Sequence, residues 1–218
     1  MLSITEENYL KAILYLSLEG SEDLGVGTNE LAQSLDVKPS SVNDMLKKLR
    51  QKELIEYEKY GKIFMSEQGK VIGVQILRKH RLWETFLYEK LDFTWDEVHE
   101  VAEQLEHIKS DKLIEKLDKF LGYPKNDPHG DPIPNALGEF DFIPKKMLAD
   151  IEVGRECKMV SVKDNSAAFL NYVVEIGLGI NNEIKVVSKQ EFDASIEILV
   201  NEKITRVSQK FAQHIYVV

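Results

Sequence analysis

Residues 28–65, TNELAQSLDVKPSSVNDMLKKLRQKELIEYEKYGKIFM, decide the fold of the amino-terminal part of this chain. Thr28 can cap a short helix that runs through Leu35, and a turn follows it. Ser40 or Ser41 then opens a second helix. Its apolar residues recur at i, i+3, i+4 and i+7, and they are Val42, Met45, Leu46 and Leu49. The stretch therefore predicts two helices joined by a tight turn.

Two short strands follow, over 54–58 and 62–65, joined across Tyr60-Gly61. Another helix precedes the stretch, because Ser3-Ile4-Thr5-Glu6 fits a capping box and apolar residues then recur at helical spacing to about Leu18. This order of helices and hairpin predicts a winged helix-turn-helix, whose last helix enters the major groove of DNA. Helix-turn-helix units also occur in proteins that bind no nucleic acid, so the pattern leaves that alternative open.

The charge of this part differs from that of the whole chain. The formal net charge of -9 argues against a uniformly basic surface, yet residues 38–62 hold seven basic and four acidic residues. A local basic patch is enough to bind phosphates. The candidates for contacts with base edges or nearby phosphates are Ser40, Ser41 and Asn43. The candidates for contacts with phosphates alone are Lys47, Lys48 and Lys62.

Three further helical patterns follow the hairpin. Ser66 can cap a long helix that runs to about Leu91. Thr94-Trp95-Asp96-Glu97 is a second candidate capping box, for a helix to about Ile108, and Ser110 can cap a third helix. Their apolar faces predict a helical dimer interface. Two-fold dimers are the usual form of a winged-helix protein, because operators have two half-sites.

The last part of the chain has a different pattern. Five of the six prolines fall between Tyr123 and Lys145, which predicts a tethering loop. Further on, a helix is predicted near 166–176, and short strands are predicted at 158–162, 183–187, 195–199 and 204–207. The expected fold class is mainly α with a C-terminal β-rich domain. The expected domains are a winged helix over 1–73, a helical metal-binding and dimerisation region over 74–123, a tether over 124–150 and a β-rich domain over 151–218.

Four of the five histidines lie in one stretch in the middle of the chain. Glu103, Glu106 and His107 sit at i, i+3 and i+4 of a predicted helix, and His80 stands four residues before Glu84. On helices each set shares a face and offers imidazole nitrogens beside carboxylate oxygens, a donor set that divalent manganese, iron or zinc prefers. A single histidine–glutamate pair such as His80 and Glu84 is often only an ion pair. The carboxylates of Glu103 and Glu106, in contrast, lie so close together that they repel each other unless they are protonated or bound to a cation. The stretch therefore predicts metal binding.

No enzyme is predicted. His99-Glu100-Val101-Ala102-Glu103 is a near miss to the metalloprotease helix, since a glutamate stands where the second histidine must be, and no nucleophile elbow or phosphate loop is present. The single cysteine, Cys157, cannot form an internal disulfide. We find no apolar run of transmembrane length and no signal-peptide pattern, so we expect a cytoplasmic protein.

Five motifs carry a family resemblance: RKHRLWE at 78–84, EVHEVAEQLEH at 97–107, LGYP at 121–124, DPHG at 127–130 and PIP at 132–134. Together they resemble the diphtheria toxin repressor family of metal-dependent transcriptional repressors, over essentially the whole chain. The resemblance implies a winged helix, a helical dimerisation domain, a proline-rich tether and a C-terminal SH3-like barrel. It also implies a homodimer that binds palindromic operators of metal-uptake genes, with a divalent metal as corepressor.

The same resemblance implies two metal sites. The first joins the first helix to the stretch after residue 100, at the positions of Asn8, Glu103, Glu106 and His107. A glutamate at position 103 is typical of manganese-type members, so Mn²⁺ is favoured and Fe²⁺ is the alternative. The second site uses His80, Glu84 and His99 together with a ligand from the SH3-like domain. In streptococcal-type manganese sensors the comparable site draws on the positions of Glu84, Asp127, His129 and Asp164, so His80 belongs to either site.

Three positions depart from the family pattern. Asn8 stands where manganese sensors usually carry an acidic residue and iron sensors a methionine. Lys11 replaces an acidic residue with which small manganese sensors hold a second ion, and two cations would repel its ammonium. Asp127 replaces the cysteine of the streptococcal-type sensors, which leaves that site with nitrogen and oxygen donors only. Cys157 is not expected to be a ligand.

Two other functions stay open on the sequence alone. A metal-independent DNA-binding regulator would bind its operator equally well in the presence of a chelator. A metal-dependent enzyme would need an open coordination position and a substrate pocket.

Overall fold

The structure is a computed structural model that describes residues 2–20, 25–57 and 61–218. The chain forms two compact units. The first comprises Met1–His80, Gln104–Ser110 and Pro134–Glu139, and the second comprises Arg81–Glu103, Asp111–Ile133 and Phe140–Val218. None of the described helices combines the length and the apolar character that crossing a membrane requires.

The first unit contains the helices and the hairpin that the opening stretch predicts. Its elements are α1 (Ile4–Glu19), α2 (Thr28–Ser34), α3 (Pro39–Gln51), β1 (Ile55–Tyr57), β2 (Ile63–Met65) and the part of α4 (Glu67–Leu91) up to His80. The predicted capping box at the start of α1 is confirmed, since the Ser3 N–H donates to Glu6 Oε2 and the Glu6 N–H donates to Ser3 Oγ. The winged helix-turn-helix order is therefore present.

The starts of α2 and α3 differ from the prediction. Thr28 is the first residue of α2 rather than its cap, and Gly27 takes the cap position, where its N–H donates to Glu30 Oε2. α3 starts at Pro39, before either predicted serine. Proline suits the first position of a helix, because the N–H that it lacks would have no partner inside the helix.

The hairpin is antiparallel, with Ile55 opposite Met65 and Tyr57 opposite Ile63. Its predicted turn at Tyr60-Gly61 lies partly outside the described residues, which omit 58–60. Val26 adds a bridge to Ile63 through two backbone hydrogen bonds. The core beneath the helices is apolar and fully buried at Leu10, Ile13, Leu31, Val42, Leu46, Leu49 and Ile63.

The helices after α4 are shorter than predicted. α5 spans Val98–Leu105, and α6 spans Asp111–Phe120. The Thr94 N–H does donate to Glu97 Oε2, as in a capping box, but the regular helix starts only after Glu97. The predicted end of α4 at Leu91 is confirmed.

The β-rich region of the second unit confirms the four predicted strands and adds short ones. Its elements are β3 (Lys146–Met147), β4 (Glu156–Val162), α7 (Ala167–Glu175), β5 (Glu183–Lys189), β6 (Ile196–Val200), β7 (Lys203–Val207), α8 (Gln209–Ala212) and β8 (Ile215–Val217). The strands form one antiparallel sheet in the order β3-β8-β4-β5-β6-β7. The predicted closure into a barrel would need β3 to pair with β7, and that pairing is absent from the described strands.

Candidate metal centre

The first cluster of predicted ligands lies in the first unit. Glu106, just after α5, is completely buried. Its Oε2 lies 2.7 Å from the Lys11 ammonium of α1 and 2.6 Å from Nδ1 of His80 of α4. A buried carboxylate needs such partners, because the cost of removing a charge from water is several kcal/mol. Lys11 therefore supplies a cation next to one oxygen of this carboxylate.

His107 presents its two ring nitrogens to different partners. Nδ1 lies 2.7 Å from Glu7 Oε2, on the first turn of α1, and Nε2 lies 3.8 Å from Glu106 Oε1. Glu7 and Lys11 are four residues apart on α1, so both lie on one face of that helix. On this face the Lys11 ammonium contacts Glu106, and the Glu7 carboxylate contacts His107.

Two buried donor atoms of this cluster, Glu106 Oε1 and His107 Nε2, make no hydrogen bond to any residue that the structure describes, and the same is true of the buried Oδ1 of Asn8 on α1. Buried polar atoms are nearly always paired, so each of these three atoms needs an explanation. Metal–ligand bonds of about 2.1 Å allow two donors to lie up to about 4.2 Å apart. The 3.8 Å between Glu106 Oε1 and His107 Nε2 fits that limit. Glu106 Oε1 and His107 Nε2 are therefore placed so that one divalent cation could bind both.

The second cluster lies in the second unit and consists of Glu84, Asp127 and His129. All three are buried, and one ligand atom from each lies within 4.8 Å of the other two. Glu84 comes from α4, whereas Asp127 and His129 come from the proline-rich segment. Buried carboxylates this close to an imidazole are the usual donor set of a metal site.

His129 is held with one ring nitrogen facing the cluster. Nε2 lies 3.0 Å from the Trp95 carbonyl oxygen, which can only accept, so the ring proton sits on Nε2. Nδ1 is buried, lies 3.9 Å from Glu84 Oε2 and has no hydrogen-bond partner within the described ranges. The Trp95 ring stacks on the imidazole with centroids 5.6 Å apart. Both contacts hold the ring so that its unprotonated nitrogen, Nδ1, faces Glu84.

Asp127 carries an unfavourable charge in this setting. Its Oδ1 accepts the N–H groups of His129 and Asp131, and its Oδ2 lies 3.5 Å from Arg81 Nε. Burial raises the pKa of Asp127 well above its ordinary value of 3.8, and the carboxylates of Asp131 and Glu84 raise that pKa further, while Arg81 lowers it. A bound cation would relieve this repulsion.

The backbone next to His129 is fixed by a close approach to β4. The His129 carbonyl accepts the Val162 N–H at 3.1 Å. Gly130 has φ +87°, and a Cβ atom at this position would collide with the Val160 carbonyl oxygen. Only glycine allows this contact, which places Asp127 and His129 beside the sheet.

Three family profiles match consecutive parts of the chain. The N-terminal DNA-binding domain of iron-dependent repressors matches residues 1–63, their metal-binding and dimerisation domain matches 66–135, and the FeoA domain matches 146–218. The chain belongs to the iron-dependent repressor family. The predicted family is thereby confirmed, and it is a family of transcriptional repressors rather than of enzymes.

Individual repressors of this family match over long stretches. The diphtheria toxin repressor of Corynebacterium jeikeium is 30% identical over 148 residues, which are 68% of this chain and 60% of that protein. The iron-dependent repressor IdeR of Mycobacterium tuberculosis is 31% identical over 133 residues, which are 61% of this chain and 56% of that protein. The chain thus spans less than two thirds of the length of these curated relatives.

A solved structure matches over nearly its full length. It is a manganese-dependent transcriptional repressor in complex with manganese, is 32% identical, and superimposes with a TM-score of 0.88 over 98% of this chain and 99% of that one. Relatives named for iron and for manganese both occur among the matches.

Four predicted ligands do not belong to the donor sets described above: His80, His99, Glu103 and Asp164. His80 lies beside Glu106. His99 Nδ1 lies 3.2 Å from Glu84 Oε1, and its Nε2 lies 3.8 Å from Glu103 Oε1 in the same unit. Asp164 is half-buried, and its Oδ1 accepts the Ser166 N–H. Cys157 was not predicted as a ligand, and burial raises the pKa of its thiol to about 11.

The predicted DNA-contacting residues lie on α3 and, for Lys62, directly before β2. The exposed ones are Ser40, Ser41, Lys47, Lys48 and Lys62. Asn43 differs from them, because its Nδ2 donates to the Pro39 carbonyl and its Oδ1 accepts from the Tyr57 hydroxyl. Its amide therefore ties α3 to β1.

Sequence reasoning missed three contributors to the clusters: Glu7, Arg81 and Trp95. Glu7 is next to a predicted ligand on the chain, but helical spacing alone does not tell which neighbour faces His107. Trp95 acts through its carbonyl oxygen, which has no signature in the sequence. Arg81 lies within a quoted family motif, so its position beside His80 was a usable signal.

Proposed function

We propose that the chain is a transcriptional repressor whose binding to DNA requires a divalent metal ion, with Mn²⁺ favoured and Fe²⁺ as the alternative. The observation that carries the proposal is the set of three buried donor atoms without hydrogen-bond partners, on Asn8, Glu106 and His107. Asn8 lies on α1, in the matched DNA-binding domain, whereas Glu106 and His107 lie in the matched metal-binding domain. Asn8, Glu106 and His107 would hold the ion, whose charge would offset the buried carboxylate.

The chain couples this cluster to the DNA-binding surface through packing. α1 contacts α2 and β2, and α2 contacts α3. Fixing α1 against Glu106 and His107 therefore restricts the position of α3. Coupling of this kind is typically about 1 to 3 kcal/mol, so metal would raise operator affinity by about 5- to 150-fold.

The second cluster supports a related role. Glu84 of α4 meets Asp127 and His129, and His129 is bonded to β4. A second ion held here would lock the proline-rich segment to α4 and thus to the sheet. His99 lies next to Glu84 and is a candidate additional ligand, as is Asp164 from the loop after β4.

Manganese is favoured because of the donor atoms. The described ligand candidates of both clusters offer carboxylate, amide and imidazole groups and no thiolate, and hard oxygen donors suit Mn²⁺. Glu103, which the family resemblance implies, is the remaining candidate oxygen ligand of the first site. Lys11 already places a cation beside Glu106, so we propose one ion at this site rather than two.

We further propose that the functional form is a homodimer that binds palindromic operators of metal-uptake genes. Large apolar side chains of α4 and α6 are exposed at Tyr88, Leu91, Leu113 and Phe120. Such residues in a matched dimerisation domain provide apolar area for a partner subunit. Ser40, Ser41 and Lys47 would face the DNA.

The test is selection of duplex DNA from a random pool by the full chain with Mn²⁺, followed by binding of the selected site in metal and in chelator. We expect chelator to remove binding, and Glu106→Ala and His107→Ala to bind weakly with or without metal while remaining folded. Glu115→Ala, an exposed charge loss on α6, is the matched control and should bind as the unaltered chain does. Equal binding in chelator would instead identify a metal-independent regulator.

A further inference from the structure

We propose that Glu7 is the positioning residue of His107: it fixes the ring proton on Nδ1 and thereby aims Nε2 into the first metal cluster. This inference rests on the proposed function, because it assigns a role toward the same ion. Glu7 is not one of the ligands that the sequence indicates, and its side chain does not belong to the donor set described above.

The geometry of the pair shows Glu7 in contact with a candidate ligand of the ion, on the side of the ring away from the proposed site. Glu7 Oε2 lies 2.7 Å from His107 Nδ1, and the two side chains are only 12% and 9% exposed. An ionised carboxylate can only accept, so the ring proton of neutral His107 sits on Nδ1. The lone pair is then on Nε2, the buried atom without a hydrogen-bond partner among the described residues. A metal can bind only such an unprotonated nitrogen.

The position of Glu7 also excludes it as a ligand of the same ion through this contact. Nδ1 and Nε2 lie on opposite sides of the imidazole ring. Glu7 Oε2 is on the Nδ1 side, whereas Glu106 Oε1 is 3.8 Å from Nε2. Metal-ligating histidines usually donate their other ring N–H to a carboxylate or carbonyl, and loss of that partner costs about 10- to 100-fold in metal affinity.

Among the residues that the structure describes, Glu7 has one further ionic neighbour. Lys109 Nζ lies 3.7 Å from Glu7 Oε1, the oxygen that does not face the histidine, and half of the Lys109 side chain is exposed. The ammonium therefore lies on the Oε1 side of Glu7 and leaves Oε2 to His107. Asn8 follows Glu7 directly, so one turn of α1 supplies both a donor atom and the support for another donor.

If Glu7 only formed an ion pair between α1 and His107, loss of its charge alone would remove its effect. The test therefore compares Glu7→Gln with Glu7→Leu in the full chain. Gln retains an acceptor for the Nδ1 proton without the charge, whereas Leu retains neither. Glu67→Leu is the control, because the Glu67 carboxylate is exposed and pairs only with Lys70 in the described structure. Glu7→Ser replaces Glu7→Leu if the latter does not fold.

Two readouts are needed. The first is the histidine ¹⁵N spectrum of the metal-free chain, which reports the tautomer of each ring. We expect His107 to carry its proton on Nδ1 in the unaltered chain and in Glu7→Gln, and to become a mixture in Glu7→Leu. The second is Mn²⁺ affinity by titration: we expect Glu7→Leu to lose about 10- to 100-fold at the first site, Glu7→Gln to lose only a few-fold, and Glu67→Leu to lose nothing.

The outcomes separate this inference from the proposed function. If Glu7→Leu keeps both the tautomer and the affinity, the positioning role is wrong while the site stands. If Gln and Leu lose equal affinity with the tautomer unchanged, Glu7 acts by its charge or as a ligand, and the positioning role is again wrong. If Glu106→Ala leaves Mn²⁺ binding unaltered, the first site itself does not exist and the proposed function fails with it.

Discussion

Replacing Gly130 with alanine tests whether the close approach of the proline-rich segment to β4 assembles the second cluster. Gly130 has φ +87°, and its added Cβ would meet the Val160 carbonyl oxygen and lie 2.7 Å from Ser161 Cα. The left-handed conformation alone costs a non-glycine residue about 1–2 kcal/mol. The collision adds to this cost, because the obstacle is backbone and cannot rotate away. His129, the neighbouring residue, must then shift away from Val162.

Gly154→Ala is the matched control for backbone strain. Gly154 has the same φ of +87°, but no described atom beyond its two chain neighbours lies within 4 Å of its added Cβ. At about 2–4 °C of melting temperature per kcal/mol, a strain of about 1–2 kcal/mol predicts a loss of about 2–8 °C for the control. We expect Gly130→Ala to lose more than this.

The decisive assay is Mn²⁺ binding by calorimetry beside thermal unfolding. Gly154→Ala should retain both metal sites, whereas Gly130→Ala should lose the one formed by Glu84, Asp127 and His129. Equal melting temperatures for the two variants, together with unaltered Mn²⁺ binding, would refute the argument that backbone contact with β4 positions these ligands.

Three further predictions concern the two clusters and α3. Metal binding at the second cluster should release a proton and weaken as pH falls, because the raised pKa of Asp127 makes the proton and the metal compete for its carboxylate. Calorimetry in buffers of different ionisation enthalpy measures the released proton, and a pH-independent metal affinity would contradict the prediction. Lys47→Ala should weaken binding to all duplexes alike and lower the slope of log affinity against log salt concentration by about 1. Filter binding at several salt concentrations measures this slope. A loss of affinity that depends on one base pair would contradict a contact with phosphate. Lys11→Met should destabilise the metal-free chain by about 3–5 kcal/mol, because buried Glu106 loses its ammonium partner. Mn²⁺ should then stabilise the variant more than it stabilises the unaltered chain. Equal melting temperatures of the variant and the unaltered chain in chelator would argue against this.

The winged helix-turn-helix was predictable from local patterns. The Ser3–Glu6 capping box, the apolar spacing of α3 and the short strands around Gly61 each depend on residues close together in the chain, and each appears in the structure. Local rules suffice there because helix capping and amphipathic spacing are set by neighbours within one or two turns.

Element ends and short strands were less predictable. β3 and β8 have two and three residues, too few to show a periodicity, and they exist because β8 pairs with β3 on one side and β4 on the other. α3 starts at Pro39 rather than at Ser40 or Ser41, because proline fits the first position of a helix as well as a turn.

The candidate ligands were identifiable as residue types, but their supports were not. Spacing indicated Glu106 and His107, and the family resemblance indicated Asn8, Asp127 and His129. The contacts of Glu7 with His107 and of the Trp95 carbonyl with His129 join residues that are 100 and 34 positions apart. No helical or strand period relates such positions.

The sequence by itself thus determined the family, the order of helices and strands, and most of the candidate donor atoms, because these depend on residue identity and near-neighbour spacing. Only the tertiary structure decided which atom of each donor faces a cluster. That choice depends on where distant segments meet: Glu7 on Nδ1 leaves His107 Nε2 bare, and the Trp95 carbonyl on Nε2 leaves His129 Nδ1 bare. The two histidines therefore present opposite ring nitrogens, a difference that their identical chemistry could not reveal.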